Sequence, residues 1–187
     1  MTAGLTVPSS TRLLADRLTS AVTAQVAADV TVVELRDLAV DIANHLVAGF
    51  PSPALRSALD AVSEADGVIA ATPIFTASYS GLFKSFFDLF EELGGKPVLI
   101  AATGGTPRHS LALEHALRPM FTYLHAIVAP TSVYAASADW ADSELAHRIA
   151  RAAGELAELM ARHPAVARTE ETVIPFEQQL AALREKP

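Results

Sequence analysis

Residues 65–89 read A-D-G-V-I-A-A-T-P-I-F-T-A-S-Y-S-G-L-F-K-S-F-F-D-L and change character twice. The short apolar run at 68–71 is typical of a buried strand. Residues 72–80 are rich in hydroxyl groups, and from Gly81 onward apolar residues recur at helical spacing. The stretch therefore predicts a strand, a polar loop and a helix. In an open α/β sheet such a loop lies beyond the carboxyl end of a strand, where ligands bind.

The predicted loop carries groups that suit a flat, polar ligand. Pro73 fixes its own φ and stiffens the backbone. Phe75 and Tyr79 could flank an aromatic ring, and Thr76 and Ser78 supply small donors and acceptors. An ordinary strand-to-helix connection with an N-capping serine would explain the same residues without a ligand.

Length and composition limit the alternatives. A chain of 187 residues with 51% hydrophobic residues is long enough for one domain with a substantial core. A net charge of −7 without a basic cluster disfavours nucleic acid and anionic membranes as partners. The absence of cysteine excludes disulfides and thiol chemistry. We find no signal-peptide pattern at Met1 and no apolar run of membrane-spanning length, so we expect a cytoplasmic protein.

Predicted strands and helices alternate along the chain. We expect strands at 30–35, 68–71, 97–102 and 126–135, and helices at 11–22, 36–50, 54–64, 81–93, 111–124 and 142–163. A short helix that ends at Arg184 is expected after Pro175 and Phe176. Gly94 and Gly95 are expected to end the fourth helix. This alternation predicts a three-layer, doubly wound parallel sheet of the flavodoxin type, formed by a single domain over residues 1–187.

Two further segments could bind a ligand. Ser9, Ser10 and Thr11 precede an apolar helical pattern, where hydroxyls and free N–H groups make a phosphate site, and Arg12 could add a charged contact. A plain N-cap is the alternative.

The other segment runs T-G-G-T-P-R-H from Thr103 to His109, at the end of a predicted strand. Gly104 and Gly105 would let the backbone approach a flat ligand, and a tight turn is the alternative. His109 could contact the ligand or simply cap a helix.

Three motifs resemble one known family. The run P-I-F-T-A-S-Y-S-G-L-F-K-S-F-F-D resembles the flavin loop of the NADPH-dependent FMN reductases, P-x-Y-x-x-S-x-P-G-x-L-K-x-x-x-D, and departs from it at Phe75 and Ser80. The run A-G-L-T-V-P-S-S-T-R-L-L-A resembles the phosphate loop of that family. The run A-A-T-G-G-T-P-R-H-S-L-A-L-E-H-A-L-R-P-M-F is similar to the branch that supplies reduced flavin to two-component monooxygenases.

The resemblance implies a flavodoxin-like NAD(P)H:FMN oxidoreductase. FMN and NADPH or NADH would bind at thirteen residues: Ser9, Ser10, Thr11, Arg12, Pro73, Ile74, Phe75, Thr76, Ser78, Thr103, Gly104, Gly105 and His109. No side chain need be catalytic, because the flavin itself accepts the hydride, and no metal-ligand spacing is present. The resemblance also implies a partner monooxygenase, and a homodimer or homotetramer packed through the helix that carries Phe83, Phe86, Phe87 and Phe90. An exposed part of this aromatic stripe would fit such packing, and the core of the single chain is the alternative for some of the four rings.

Two other functions remain open on the same scaffold. One is a quinone or azo reductase that keeps FMN as a prosthetic group. The other is a non-enzymatic electron carrier like flavodoxin, which the reductase-type loop motif disfavours.

The start of the sequence is unusual for this fold. In strand order 2-1-3-4-5 the first strand is interior, yet the segment A-G-L-T begins at Ala3. We hypothesise that the native chain starts upstream with a Val/Ile-rich strand. The alternatives are a variant whose sheet closes differently, or an inactive copy.

Overall fold

The structure is a computed structural model that describes residues 1–163. The expected short helix after Pro175 and Phe176 lies outside these residues. Six α-helices are present in the described part: α1 Ser10–Thr23, α2 Ala39–Ala48, α3 Pro53–Glu64, α4 Gly81–Phe87, α5 Arg118–Tyr123 and α6 Ser143–Arg162. Its strands are β1 Val68–Phe75, β2 Ser78–Tyr79, β3 Pro97–Gly104, β4 Ile127–Val128 and β5 Val133–Ala136.

A parallel sheet forms the middle layer. β1 pairs with β3 over six residues, from Val68 opposite Val98 to Pro73 opposite Thr103. β3 continues the sheet by pairing with β4 and β5. Among the strands of residues 1–163, only β2 is antiparallel, as the second arm of a hairpin with β1. This is the mixed α/β sheet expected from the alternating pattern.

Residues 1–3 occupy the interior position of the sheet. Thr2 bridges Glu34 on one side and Ala71 on the other, in parallel in both cases. The Thr2 amide donates to the Val33 carbonyl, and the Ala3 amide to the Ala71 carbonyl, each at 2.9 Å. The predicted strand order 2-1-3-4-5 is therefore present, with its first two positions reduced to isolated bridges.

Two apolar cores cover the two faces of the sheet. One packs α2, α3, α4 and α5 against the side chains of Val68, Ala70, Val98 and Ile100. The other packs α1 and α6 against Ala71, Leu99 and Ala101. Successive side chains of β1 and β3 thus pack into opposite cores, because side chains alternate between the two faces of a strand. The expected three layers are confirmed.

Several expected element bounds are wrong. Residues 30–35 do not form a regular strand: residues 27–33 are irregular, and Leu35–Leu38 is a 3₁₀ helix. β1 continues to Phe75, beyond the predicted end at 71. α4 ends at Phe87, before Gly94 and Gly95.

Two more elements of the second half of the chain differ from the pattern. The predicted strand at 126–135 is two short strands separated at residues 129–132. The predicted helix at 111–124 begins with a π turn, Leu113–Leu117, in which the Arg118 amide bonds the Leu113 carbonyl. The π turn leads directly into α5.

The aromatic stripe of α4 is mostly internal. Phe83, Phe86 and Phe87 are buried, and their rings pack against one another and against Phe121. Phe90, just after the helix, is half-buried. Of the two alternatives for this stripe, the internal core is therefore confirmed for Phe83, Phe86 and Phe87.

Candidate functional site

Three loops meet at the carboxyl edge of the sheet. β1 and β3 end side by side, with Pro73 opposite Thr103. The hydroxyl groups of Thr103 and Thr11 lie 2.7 Å apart in a buried hydrogen bond, which ties the start of α1 to the end of β3. The three segments predicted to bind a ligand are thus brought together, although they are up to about 90 residues apart in sequence.

The segment before α1 has the geometry of an anion site. Ser9 is the N-cap, and its hydroxyl accepts the Arg12 amide at 3.2 Å. Ser10 and Thr11 occupy the first helical positions, so their N–H groups have no acceptor within the helix. The Ser10 side chain is exposed, whereas Thr11 is buried. Ser9 therefore performs the structural capping role, and Ser10 presents the free hydroxyl.

Arg12 lies beside this segment but is already paired. Its guanidinium contacts the carboxylates of Asp16, at 2.7 Å, and of Glu34. These hydrogen bonds, chiefly that of Asp16, raise the pKa of Arg12. Glu34 also pairs with Arg36 at 2.6 Å, and Arg36 donates to the Thr6 carbonyl at 3.1 Å. Sequence reasoning missed this network, which fixes the loop before α1.

Gly4 lies where the backbone passes very close to the Ser9 side chain. A Cβ there would lie 2.0 Å from the Ser9 hydroxyl oxygen. The chain leaves the sheet at Ala3 and must pass Ser9 closely, so a side chain at position 4 would displace the N-cap.

The predicted flavin loop is a β-hairpin. Thr76 and Ala77 both have positive φ, at 49° and 65°, which is typical of a two-residue type I′ turn. β2 then pairs Ser78 with Phe75 and Tyr79 with Ile74. The turn was missed because neither residue is the glycine or asparagine that normally marks it. The hairpin holds the Phe75 ring at the edge of the sheet with 47% of the residue exposed.

Hydrogen bonds from side-chain hydroxyl groups stabilise the base of this hairpin. The Thr72 hydroxyl accepts the Ser80 amide at 3.1 Å and donates to the Pro73 carbonyl at 3.0 Å. Ser80, where proline is usual in the resembled motif, is the N-cap of α4 and accepts the Phe83 amide at 3.2 Å. Lys84 and Asp88 form the expected ion pair one turn apart.

Pro73 costs the sheet no hydrogen bond. The N–H and C=O groups of Ala71 bond Met1 and Ala3. Pro73 lies two residues further along β1, so its nitrogen faces the same side of the strand as those groups. The chain has already turned away there, and a backbone N–H would have no strand to bond.

The third loop is fixed by a tyrosine that sequence reasoning did not select. The Tyr134 hydroxyl donates to the Thr106 carbonyl at 2.7 Å, and a Cβ at Gly104 would lie 2.1 Å from that hydroxyl. Burial, with a smaller effect of Asp139, raises the pKa of Tyr134. Gly104 is thus required by Tyr134, whereas Gly105 is exposed and has open space at its Cβ.

His109 closes the short 3₁₀ helix Pro107–His109 and is half-buried. Within residues 1–163 no group of three His, Cys, Asp or Glu side chains could hold a metal ion. No helix in the same part of the chain is both long and apolar enough to cross a membrane.

Comparison with known proteins identifies the family. The model of the NADPH-dependent FMN reductases matches residues 2–141. The chain belongs to this family. It is 40% identical to an FMN reductase (NADPH) of Pseudomonas aeruginosa over 135 residues, covering 71% of this chain and 73% of the relative. It is 36% identical to the NADH-dependent FMN reductase SfnF of Pseudomonas fluorescens, covering 83% and 87%.

Solved structures agree with this membership. An oxidoreductase from Corynebacterium diphtheriae is 45% identical and superposes with a TM-score of 0.83, covering 86% of this chain and 93% of that one. The resemblance inferred from the three motifs is confirmed at the level of family and fold.

Proposed function

We propose that this member of the NADPH-dependent FMN reductase family reduces FMN with NAD(P)H at the carboxyl edge of the sheet. The observation that carries the proposal is the convergence of the three motif segments. The Thr11–Thr103 hydrogen bond and the Pro73–Thr103 register bring the phosphate segment, the hairpin and the glycine loop to one place.

The residues at this edge fit FMN. The N–H groups of Ser10 and Thr11, with the Ser10 hydroxyl, offer donors to a phosphate at the positive end of a 14-residue helix. Arg12 adds positive charge nearby, moderated by its two carboxylate partners. The hairpin 73–79 and the open backbone at Gly105 provide two surfaces between which a flat ring can lie.

The chemistry requires positioning more than acid–base groups. The bound rings would supply the redox chemistry: nicotinamide C4 would give a hydride to isoalloxazine N5 and solvent would give one proton to the flavin, so that NAD(P)H, FMN and H⁺ yield NAD(P)⁺ and reduced FMN. The protein must stack the two rings and hold them at contact distance. Phe75, half-exposed at the hairpin tip, and His109, half-buried at the glycine loop, are the side chains we assign to that stacking region.

We extend the proposal to the partners. Reduced FMN would pass to a flavin-dependent monooxygenase, and the chain would work in the cytoplasm as a homodimer or homotetramer. The similarity of the T-G-G-T-P-R-H-S-L-A-L segment to the monooxygenase-supplying branch supports the first point. Assembly cannot use Phe83, Phe86 and Phe87, because these are buried within the chain.

Steady-state oxidation of NADPH and NADH with free FMN, riboflavin and a quinone, assayed in parallel, tests the proposal. We expect turnover with FMN and loss of FMN on gel filtration. Retention of FMN with faster quinone turnover would replace the proposal by a quinone reductase. No NAD(P)H oxidation with any acceptor would indicate an electron carrier.

A further inference from the structure

Arg108 is a charged side chain without a partner at the carboxyl edge of the sheet. It is exposed, and within residues 1–163 it forms no ion pair and no hydrogen bond. Two charged side chains in other loops of this edge are paired, Arg12 with two carboxylates and Asp139 with Arg148 at 3.5 Å. The described part of the fold therefore makes no use of the positive charge of Arg108.

The backbone on both sides of Arg108 is fixed, although its side chain is exposed. The Thr106 carbonyl accepts the Tyr134 hydroxyl at 2.7 Å. Pro107 begins the 3₁₀ helix and restricts φ there, and the Ser110 amide donates to the Pro107 carbonyl at 3.0 Å. A ligand of Arg108 would thus have to order one side chain and not a whole loop, which lowers the entropic cost of binding.

The loop that carries Arg108 begins beside the space assigned to the flavin ring. Its strand, β3, ends with Thr103 opposite Pro73 of the hairpin. His109, assigned above to the stacking region, follows Arg108 in the same 3₁₀ helix. Because such a helix has three residues per turn, neighbouring side chains point about 120° apart. With His109 directed to the rings, Arg108 is directed away from them, toward the part of a ligand that leaves the ring site.

We propose that Arg108 binds the pyrophosphate of the nicotinamide dinucleotide, an inference that rests on the proposed function. The pyrophosphate is joined to the nicotinamide through one ribose, whereas the 2′-phosphate of NADPH lies beyond the pyrophosphate on the second ribose. A guanidinium group donates two parallel N–H bonds to phosphate oxygens. Arg108 therefore serves NADH and NADPH alike and does not select between them.

The two phosphate-bearing ligands would use different donors. The FMN phosphate has the N–H groups at the start of α1, and the charge of Arg12 there is offset by Asp16 and Glu34. The pyrophosphate brings two further negative charges to a chain whose net charge is −7. An arginine without a carboxylate partner compensates such charges better than one that is already paired.

The test measures binding separately from turnover. Titration calorimetry with the tetrahydronicotinamide forms of NADH and NADPH, which cannot donate a hydride, gives Kd values for the protein in saturating FMN. We expect Arg108→Gln to raise both Kd values at least about tenfold and by similar factors, and to leave the Kd for FMN unchanged. Arg108→Lys keeps the charge without the fork, so its Kd values should lie between those of the unmodified protein and Arg108→Gln. Arg151→Gln removes the same charge from an exposed position of α6 and should change none of the three values.

Three results would overturn the proposal. A rise confined to the NADPH form would assign Arg108 to the 2′-phosphate, and an equal rise for FMN would place it at the flavin. Unchanged Kd values, or a protein that binds neither dinucleotide, would remove its role altogether. If the unmodified protein oxidises no NAD(P)H but Arg108→Gln still weakens both dinucleotides, the proposed reductase activity fails and the assignment of Arg108 stands.

Discussion

At the scale of single residues, Ser9 and Ser10 have different roles although they are neighbours of the same type. Ser9 caps α1 and also fills the space beside Gly4, so its replacement would disturb the fold. Ser10 is exposed and lies at the first helical position. The sequence predicts the cluster, but which hydroxyl is free depends on where the helix starts, and such bounds are uncertain by a residue or more in any pattern.

Ser10→Glu tests the phosphate site. The added carboxylate would lie against the FMN phosphate, and we expect the KM for FMN to rise at least about tenfold, which corresponds to about 1.4 kcal/mol of lost binding. Riboflavin, which lacks the phosphate, should be used as before. Ser20→Glu adds the same charge at an exposed position of α1 and serves as the control. Equal losses for FMN and riboflavin would contradict the placement of the phosphate.

The Thr11–Thr103 hydrogen bond allows a thermodynamic test of the convergence of the loops. Both residues are buried, so Thr11→Val leaves the Thr103 hydroxyl without its partner and should cost about 1–3 kcal/mol of unfolding free energy. Thr11→Val combined with Thr103→Val removes both polar groups, and we expect it to cost less than the sum of the single variants. Urea denaturation measures all three. Strict additivity would mean that the two hydroxyls are not coupled.

At the scale of elements, the presence and the starts of the buried parallel strands β1 and β3 were predicted, because a continuous apolar run leaves few alternatives. Their ends, at Phe75 and Gly104, lie beyond the apolar runs and were not predicted. The hairpin of β1 and β2 was not predicted, because Thr76 and Ala77 are not residues that normally occupy a tight turn with positive φ. The π turn at Leu113–Leu117 was missed because its apolar residues still fall four apart, as in an α-helix. The failure at residues 30–35 has a different cause: the valines suit a strand, but a cleft of about 850 Å³ lies between residues 28–33 and residues 67–69, where a neighbouring strand would pair with them.

The glycine loop depends on a contact between two elements, which no local pattern reveals. Gly104→Ala places a methyl group 2.1 Å from the Tyr134 hydroxyl oxygen, and we expect it to cost about 1–3 kcal/mol. In a Tyr134→Phe background the hydroxyl is gone and the nearest ring atom is Cζ at 3.1 Å, so the same substitution should cost less. Tyr134→Phe alone loses the bond to the Thr106 carbonyl and should cost about 1 kcal/mol. An unchanged cost of Gly104→Ala in both backgrounds, measured by urea denaturation, would refute this explanation.

At the scale of the whole molecule, the sheet, its two cores and the three loops at its carboxyl edge could be predicted from the sequence, since alternating patterns restrict the topology to few choices. The side chains that support the candidate site could not be predicted from the sequence. Glu34 and Arg36 act on the loop before α1 through ion pairs, and Tyr134 acts on the glycine loop from a different strand. These contacts depend on how distant segments dock, which spacing along the chain does not encode.

The buried amine of Met1 makes the stability of the 187-residue chain depend on pH. Burial, with a contribution from Arg12, lowers its pKa from 8.0 to about 6 in the folded state. Between these values the unfolded chain binds more protons than the folded one, so the free energy of unfolding rises as the pH increases from about 6 to about 8. The full shift corresponds to about 2.7 kcal/mol, and screening by solvent at the start of the sheet lowers the expected effect to about 1–2 kcal/mol.

Acetylation of the Met1 amine isolates this effect from the six histidines, which titrate in the same range. The acetylated nitrogen still donates a hydrogen bond toward the Ile69 carbonyl but carries no titrating proton. We expect urea midpoints of the free chain, with Met1 verified by mass, to rise from pH 6 to pH 8 by more than those of the acetylated chain. The two chains should converge at pH 8, where both nitrogens are neutral in the folded state. Parallel pH profiles would show that the amine is solvated as in the unfolded chain, and that the cleft at the start of the sheet imposes no cost on charge.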